Sequence, residues 1–217
     1  MAIIEDPNFG LEALDLTRPL LFLDFDGVIC TEASYDRARG ETRTPTPPAP
    51  QGFSPDAGDV DAWRHGLHLL DEDLVKRVQL LCDLTQAQVV VSSAWRRNHS
   101  PGDLQVMLAS RGLHAPLVGV TPYLYRQPRG QEIRLWLDMM GYNPDLPPPM
   151  VILEDMEDVT PYLAHQVQPD FDGPRAGFRP RHLKQAVTLY LNQGAITYEE
   201  VEDFLASLAP TQEHEEG

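Results

Sequence analysis

The segment Leu21-Phe-Leu-Asp-Phe-Asp-Gly-Val-Ile29 decides how this chain folds. It overlaps an apolar run, Pro19–Asp24, that is short, rich in leucine and without alternation of polar and apolar residues. This pattern is typical of a strand that is covered on both faces. Asp24 and Asp26 come where the run ends, and Gly27 permits a tight turn of the backbone. We therefore predict a buried strand whose carboxyl end presents two carboxylates.

Further apolar runs of the same kind alternate along the chain with segments that have helical periodicity. In one such segment Leu74, Val78 and Leu81 recur at helical spacing after Asp71, a suitable N-cap. Strands that alternate with helices predict an α/β fold of three layers, a parallel sheet with helices on both faces. The predicted strands are Pro19–Asp24, Gln88–Ser92, Pro116–Val120, Met150–Glu154 and the short run His165–Gln168, and the predicted helices are Asp71–Leu84, Asp103–Ser110, Gly130–Met140, Arg181–Leu191 and Tyr198–Leu208.

The length of 217 residues favours one domain over residues 1–217, because a chain of this size forms one substantial core. The segment Arg37–Asp59 contains five prolines and no periodicity, so we predict a long loop inserted into the domain. Residues 211–217 are polar and acidic, and we predict a flexible tail there.

The charge and composition exclude several classes of function. The chain has 33 acidic and 17 basic residues and a net charge of −16, which argues against extended, non-specific binding of nucleic acid. A local arginine cluster could still hold one phosphate or one strand end. No apolar stretch reaches the ~20 residues of a membrane span, and the N-terminus lacks the pattern of a signal peptide. Since Cys30 and Cys82 form no disulfide framework, we predict a cytoplasmic protein.

Polar residues collect where the predicted strands end. In an open parallel sheet the carboxyl ends of the strands share one edge, and ligands bind there. Carboxylates at such an edge repel one another unless a cation lies among them, and Mg²⁺ prefers oxygen ligands together with a substrate phosphate. The residues in question are Asp24 and Asp26, Ser92 and Ser93, Glu154 and Asp155, and Asp158.

This set of residues indicates phosphoryl transfer. An aspartate can act as a covalent nucleophile on phosphorus, and a second carboxylate can protonate the leaving group and then activate water. A nucleotide-binding phosphate loop is absent, because neither Lys76 nor Lys184 follows the required glycine. A calcium loop is excluded because Val28, Ile29 and Tyr35 occupy positions that need other residues.

The chain resembles the haloacid dehalogenase (HAD) superfamily of phosphohydrolases, because its strand-end residues and Arg129 match the four motifs of that family in the same order. Asp24-Phe-Asp-Gly-Val28 matches the family's DxDG(T/V) motif, and Val89-Val-Val-Ser92 matches its second motif. Arg129, before a predicted helix, matches the third motif, and Ile152-Leu-Glu-Asp155 matches the fourth.

Finer features resemble the HAD branch called Swiss Army Knife RNA repair. They are Ser92-Ser-Ala-Trp-Arg96, Val118-Gly-Val-Thr-Pro122 and Arg129-Gly-Gln-Glu-Ile133, within a resemblance from about Leu20 to Leu191. The resemblance implies a Rossmann-like fold. Because the interval from Ile29 to Val91 shows only one helix and the loop, we expect a minimal cap domain or none.

The resemblance also implies a role for each matching residue. Asp24 would be the nucleophile and a metal ligand, and Asp26 the general acid/base, with its backbone carbonyl on the metal. Ser92 and Arg129 would hold the phosphoryl oxygens. Asp155 would be the remaining ligand of Mg²⁺, with Glu154 behind it.

For some of these roles the sequence offers alternative residues. Ser93 competes with Ser92, although it suits a helix cap better, and Arg126 and Arg134 compete with Arg129. We interpret Asp158 either as part of the site or as a helix N-cap. Arg96 and Arg97 follow the second strand and could reach a substrate phosphate, but we favour a solvated face or a pair with the acidic surface. Trp95 and Trp136 are predicted to lie in the core.

These features together predict a phosphatase with an open site. A phosphorylated substrate is implied, which could be a nucleotide, a nucleic-acid end or a phosphoprotein. The alternatives are a small-metabolite phosphatase, a phosphotransferase or mutase, and a catalytically silent HAD-like module that binds a partner through Arg37–Asp59. Retention of both Asp24 and Asp26 disfavours the silent module.

Overall fold

The computed structural model describes residues 11–40, 66–156, 158–173 and 175–208. Its centre is a sheet of five short strands with every neighbouring pair parallel, in the order β3-β2-β1-β4-β5. The predicted α/β fold with a parallel sheet is confirmed, and each predicted strand is present in slightly shorter form. The strands are β1 (Leu20–Leu23), β2 (Gln88–Val91), β3 (Leu117–Val120), β4 (Met150–Leu153) and β5 (Gln166–Val167).

Helices connect and flank these strands. The Asp71 side chain caps one of them by accepting hydrogen bonds from the backbone N–H groups of Asp73 and Leu74, as its sequence position predicts. Within the described ranges, no helix has both the length and the apolar character needed to cross a membrane. The helices are α1 (Glu32–Gly40), α2 (Glu72–Thr85), α3 (Pro101–Ser110), α4 (Arg129–Met139), α5 (Pro180–Asn192) and α6 (Tyr198–Leu208), and residues 66–69 are also helical.

Helix α1 corrects the predicted start of the proline-rich loop. Arg37 lies in this helix, and its Nη2 donates a hydrogen bond of 2.7 Å to Asp71 Oδ2. The helix escaped prediction because its sequence is polar and carries no apolar stripe. The remainder of the predicted loop, 41–59, and the predicted tail, 211–217, lie outside the described residues.

Two apolar clusters hold the layers together. Successive side chains of a strand point to opposite faces of the sheet. Leu21 and Leu23 of β1 pack in the larger cluster with residues of α2, α3 and α5. Phe22 packs in the second cluster against Trp136 of α4, with ring centroids 5.6 Å apart in an edge-to-face arrangement. The sheet is therefore covered on both faces, with α4 on one side and α2, α3 and α5 on the other.

Candidate active site

Four polar residues lie side by side at the carboxyl edge of the sheet. The last residues of β3, β2, β1 and β4 are aligned and all pack in the larger cluster. The residues that follow them therefore point to the opposite face, where α4 lies. Backbone hydrogen bonds continue the ladder through all four positions, from Asp24 N–H to Leu153, from Ser92 N–H to Leu23, from Thr121 N–H to Val91 and from Glu154 N–H to Val167. In strand order the residues are Thr121, Ser92, Asp24 and Glu154.

Three carboxylates form an acidic cluster in the middle of this edge. Asp24, Glu154 and Asp155 each offer an oxygen, and these oxygens lie within 4.8 Å of one another. Asp24 is only 5 % exposed, and its Oδ1 has no hydrogen-bond partner among the described residues. Burial raises the pKa of Asp24 and of Glu154, and for Glu154 the charge of Asp24 adds to the effect of burial. A buried, oxygen-only set of donors in mutual repulsion fits a divalent cation such as Mg²⁺.

Magnesium is expected to raise the thermal unfolding midpoint of the protein by a few degrees, because a ligand of the folded state alone stabilises that state. For a chain of this size, 1 kcal/mol corresponds to about 2–4 °C. Asp155→Asn is expected to abolish most of this rise and to raise the midpoint of the metal-free protein, since it removes one of three crowded charges. The measurement is a thermal melt with and without millimolar Mg²⁺.

The control for this melt is Asp145→Asn, which changes an exposed carboxylate that pairs with Arg134 outside the cluster. This variant is expected to keep the full response to Mg²⁺. A wild-type midpoint that does not respond to Mg²⁺ would contradict a cation site at the acidic cluster.

Gly27 shapes the turn that lies against this cluster. Its φ of +72° is in the left-handed region, where side chains are strained. A Cβ atom at this position would also lie 2.3 Å from Cγ of Asp155. Both facts require glycine at this position.

The carboxylate of Asp26 is not part of the acidic cluster. Its Oδ1 accepts a hydrogen bond of 2.8 Å from the Tyr35 hydroxyl, and its Oδ2 accepts one of 3.1 Å from Trp95 Nε1. The prediction that Trp95 belongs to the core is therefore wrong in part: the ring packs against Phe25, but it is half-buried and its N–H serves Asp26. Trp136, in contrast, is fully buried as predicted.

Arg129 brings positive charge to the cluster from the first turn of α4. Its Nε donates to Glu154 Oε2 at 2.9 Å and its Nη1 to Glu132 Oε2 at 2.7 Å. The positive charge of Arg129 opposes the rise in the pKa of Asp24. The rival arginines have other partners, since Arg134 pairs with Asp145 and Arg126 lies over the ring of Tyr125.

Arg96 and Glu132 extend this ion-pair network into the interior. Arg96 Nη2 donates to Glu132 Oε2 at 2.5 Å, and both side chains are only 4 % exposed. Arg96 Nη1 also donates to the carbonyl oxygens of Ser92, at 2.8 Å, and Ser93. The predicted solvated face is thus wrong for Arg96, and its acidic partner is the buried Glu132 rather than a group on the acidic surface. The network fixes the turn after β2 relative to α4.

Two buried hydroxyl groups on the same edge have no hydrogen-bond partner in the part of the chain that the structure describes. Ser92 Oγ and Thr121 Oγ1 accept or donate no hydrogen bond within the described residues, although buried polar atoms nearly always do. Ser93 accepts a hydrogen bond from the backbone N–H of Trp95, which confirms it as a cap, and its hydrogen bonding also lowers the pKa of Asp24. Thr121 was missed from the sequence, although it directly follows a predicted strand, as Ser92 does.

Asp158 supports Arg129 rather than the acidic cluster. Its Oδ2 accepts a hydrogen bond of 3.0 Å from the backbone N–H of Arg129, and its carbonyl oxygen accepts one of 3.1 Å from Gly130 N–H. Asp158 therefore caps the start of α4, which lies earlier in the chain, and not a helix that follows Asp158 in the sequence. A Cβ on Gly130 would lie 2.0 Å from the carbonyl oxygen of Thr160, so glycine is needed for this close contact.

An aromatic rim follows the loop from Thr121 to Arg129. Tyr123 and Tyr125 are 47 % and 69 % exposed. The guanidinium carbon of Arg97 lies 4.7 Å from the centroid of Tyr123, and that of Arg126 lies 5.0 Å from the centroid of Tyr125. The loop that carries these rings runs from Thr121, at the carboxyl edge of the sheet, to Arg129, the first residue of α4.

Comparison with known proteins agrees with this architecture. Residues 20–182 match the family of HAD domains in Swiss Army Knife RNA repair proteins. No curated protein and no solved structure matches the chain. The matched range contains all five strands and the polar residues at their ends. The resemblance seen in the sequence is confirmed: the chain belongs to the family of HAD domains found in Swiss Army Knife RNA repair proteins.

Proposed function

We propose that this protein is a Mg²⁺-dependent phosphohydrolase that cleaves phosphomonoesters through an aspartyl-phosphate intermediate. The observation that carries the proposal is the buried Asp24 Oδ1, which has no partner among the described residues and lies beside two further carboxylates and Arg129. A carboxylate oxygen held free in a buried site is suited to attack phosphorus.

The reaction has two steps with balanced proton transfer. An oxygen of Asp24 forms a bond to phosphorus, the bond from phosphorus to the leaving oxygen breaks, and the leaving oxygen keeps the electron pair. That oxygen takes a proton from Asp26. Water then attacks phosphorus and gives a proton to Asp26, the bond between Asp24 and phosphorus breaks, and inorganic phosphate leaves.

The remaining site residues hold the phosphoryl group. We assign one phosphoryl oxygen to Ser92 Oγ, which has no partner among the described residues, and one to Nη2 of Arg129, because Glu154 and Glu132 bind Nε and Nη1 of that guanidinium. Positive charge placed in advance stabilises the transition state of phosphoryl transfer. Asp24, Asp155 and the backbone carbonyl of Asp26 would hold Mg²⁺, which supplies further neutralisation of the phosphoryl oxygens. The ion pair with Arg129 keeps Glu154 behind these ligands.

For the substrate we propose a nucleotide or the end of a nucleic-acid strand. The aromatic rim offers exposed tyrosine rings and arginine cations within one loop of the site, and such groups stack on bases irrespective of sequence. The net charge of −16 disfavours contact with a long duplex and is compatible with gripping one terminal nucleotide. The family's association with RNA repair agrees with this choice.

Hydrolysis of a generic aryl phosphate is expected to require Mg²⁺, and 3′- or 5′-phosphorylated oligonucleotides are expected to be better substrates than phosphopeptides. Tyr123→Ala with Tyr125→Ala is expected to raise KM for a phosphorylated oligonucleotide at least about ten-fold, since stacking contributes about 1–3 kcal/mol per base. The KM for the aryl phosphate should change little. Steady-state kinetics on both substrates provide the measurement.

The matched control is Tyr198→Ala, because Tyr198 is 75 % exposed on α6, outside the site. Equal effects of the rim and control variants would refute the nucleic-acid substrate but leave the chemistry intact. Absence of Mg²⁺-dependent turnover for every phosphate ester tested would refute the proposed function and favour a catalytically silent module.

A further inference from the structure

The carboxyl group of Asp26 is held by side chains from two distant parts of the chain. The Tyr35 hydroxyl, on α1, donates to one oxygen at 2.8 Å, and Trp95 Nε1, in the turn after β2, donates to the other at 3.1 Å. Both distances are normal for hydrogen bonds, and each oxygen has its own donor. Such a pair restrains rotation about the Cβ–Cγ bond as well as the position of the whole group.

The two donors are themselves fixed by packing. Tyr35 and Trp95 pack together against a small apolar cluster of Cys30 and Leu69. The indole ring also makes an edge contact with Phe25, with ring centroids 5.2 Å apart. A donor that is locked by its neighbours loses little conformational freedom when it binds the carboxylate. Tyr35 and Trp95 therefore differ from mobile surface side chains, because their neighbours hold them in place as donors.

We infer that Tyr35 and Trp95 are positioning residues that orient Asp26 for proton transfer to the leaving oxygen. The inference rests on the proposed function, in which the proton passes from the Asp26 carboxyl to the leaving oxygen as the bond from phosphorus to that oxygen breaks. Proton transfer depends on geometry, and a shift of about 1 Å in a reacting group can cost about a hundred-fold in rate. The two donors also hold the Asp26 carboxylate apart from the acidic cluster of Asp24, Glu154 and Asp155.

With this assignment, helix α1 has the function of carrying Tyr35, one of the two donors to Asp26. It lies in the interval between the first and second strands, where no folded cap is predicted, and its described residues include one of the two donors. The interval therefore contributes to the site through Tyr35.

The test uses Tyr35→Phe, Trp95→Phe and the double variant, which keep aromatic rings and remove the donors. Two substrates are compared by kcat/KM, which reports the steps up to formation of the aspartyl-phosphate. An aryl phosphate with a good leaving group needs little protonation, whereas an alkyl phosphate needs the proton of the general acid. For the alkyl phosphate we expect kcat/KM to fall about ten-fold in each single variant and about a hundred-fold in the double variant, within the ~10²–10⁴-fold that general acid catalysis contributes.

For the aryl phosphate the expected fall is about two- to three-fold. A merely structural role would lower kcat/KM for both substrates by the same factor, and that result, or no change in either, would overturn the inference. Tyr198→Phe, on the exposed face of α6, is the control and should match the wild type. If Trp95→Phe does not fold, as shown by a thermal melt, Tyr35→Phe alone decides between the outcomes.

Failure of the inference and failure of the proposed function give different results. A wild-type protein that hydrolyses neither ester with Mg²⁺ refutes the proposed function and the inference together. A wild-type protein that hydrolyses both, with variants that show no dependence on the leaving group, refutes the inference alone.

Discussion

Replacing Asp24 by asparagine is expected to lower the rate of aryl phosphate hydrolysis by at least about 10³-fold. The amide has nearly the size of the carboxylate but cannot form the acyl phosphate, and it offers a weaker ligand to the cation. The measurement is hydrolysis by wild type and variant, each with and without Mg²⁺. An acid quench with labelled substrate should trap a phosphorylated protein for the wild type and none for Asp24→Asn.

Unfolding of Asp24→Asn cannot account for its expected loss of activity, because the substitution should stabilise the metal-free protein rather than destabilise it. Asp24 is buried among other carboxylates, so removal of its charge should raise the thermal midpoint of the metal-free protein. Asp26→Asn serves as a second comparison and should slow breakdown of the aspartyl-phosphate without preventing labelling of Asp24. Asp145→Asn, which changes an exposed carboxylate, should retain wild-type activity. Equal rates for wild type and Asp24→Asn would refute the assignment of the nucleophile.

Local sequence patterns were sufficient to predict the sheet and much of its polar edge. All four residues of β1 and of β4 are completely buried, which is why their sequences read as uninterrupted apolar runs. Once the strands are parallel, their ends must share one edge. The proximity of Asp24 and Glu154 thus follows from two strand ends that are 130 residues apart in the chain.

The residues that support the site could not be predicted, because their contacts join segments with no local relationship. Trp95 and Asp26 are 69 residues apart, and Arg96 and Glu132 are 36 apart. Glu132 lies in an amphipathic helix, where a glutamate normally faces water, and only the fold shows that two arginines surround it. Tyr35 belongs to a polar helix whose sequence contains no periodic signal.

Replacing Glu132 by glutamine is expected to lower the free energy of unfolding by about 3–5 kcal/mol, the usual cost of removing one partner from a buried ion pair. Glu132 Oε2 accepts hydrogen bonds from both Arg96 and Arg129, whose side chains are 4 % and 14 % exposed. Its Oε1 accepts one of 2.9 Å from the backbone N–H of Leu124, in the loop that carries the aromatic rim. Denaturant unfolding measures the change, which is a large share of the ~5–15 kcal/mol that stabilises a typical domain.

A second substitution separates the charge effect from a general loss of packing. Arg129 keeps Glu154 as a partner when Glu132 is neutralised, whereas Arg96 keeps only carbonyl oxygens as acceptors within the described residues. Removing the stranded cation as well, in Arg96→Met with Glu132→Gln, should therefore restore part of the stability lost in the single variant. Asp145→Asn, which breaks an exposed pair, should leave the unfolding midpoint nearly unchanged. The contrary result is a double variant whose free energy of unfolding falls by the sum of the losses in Glu132→Gln and Arg96→Met. The two side chains would then contribute independently, and charge pairing would not hold the turn after β2 to α4.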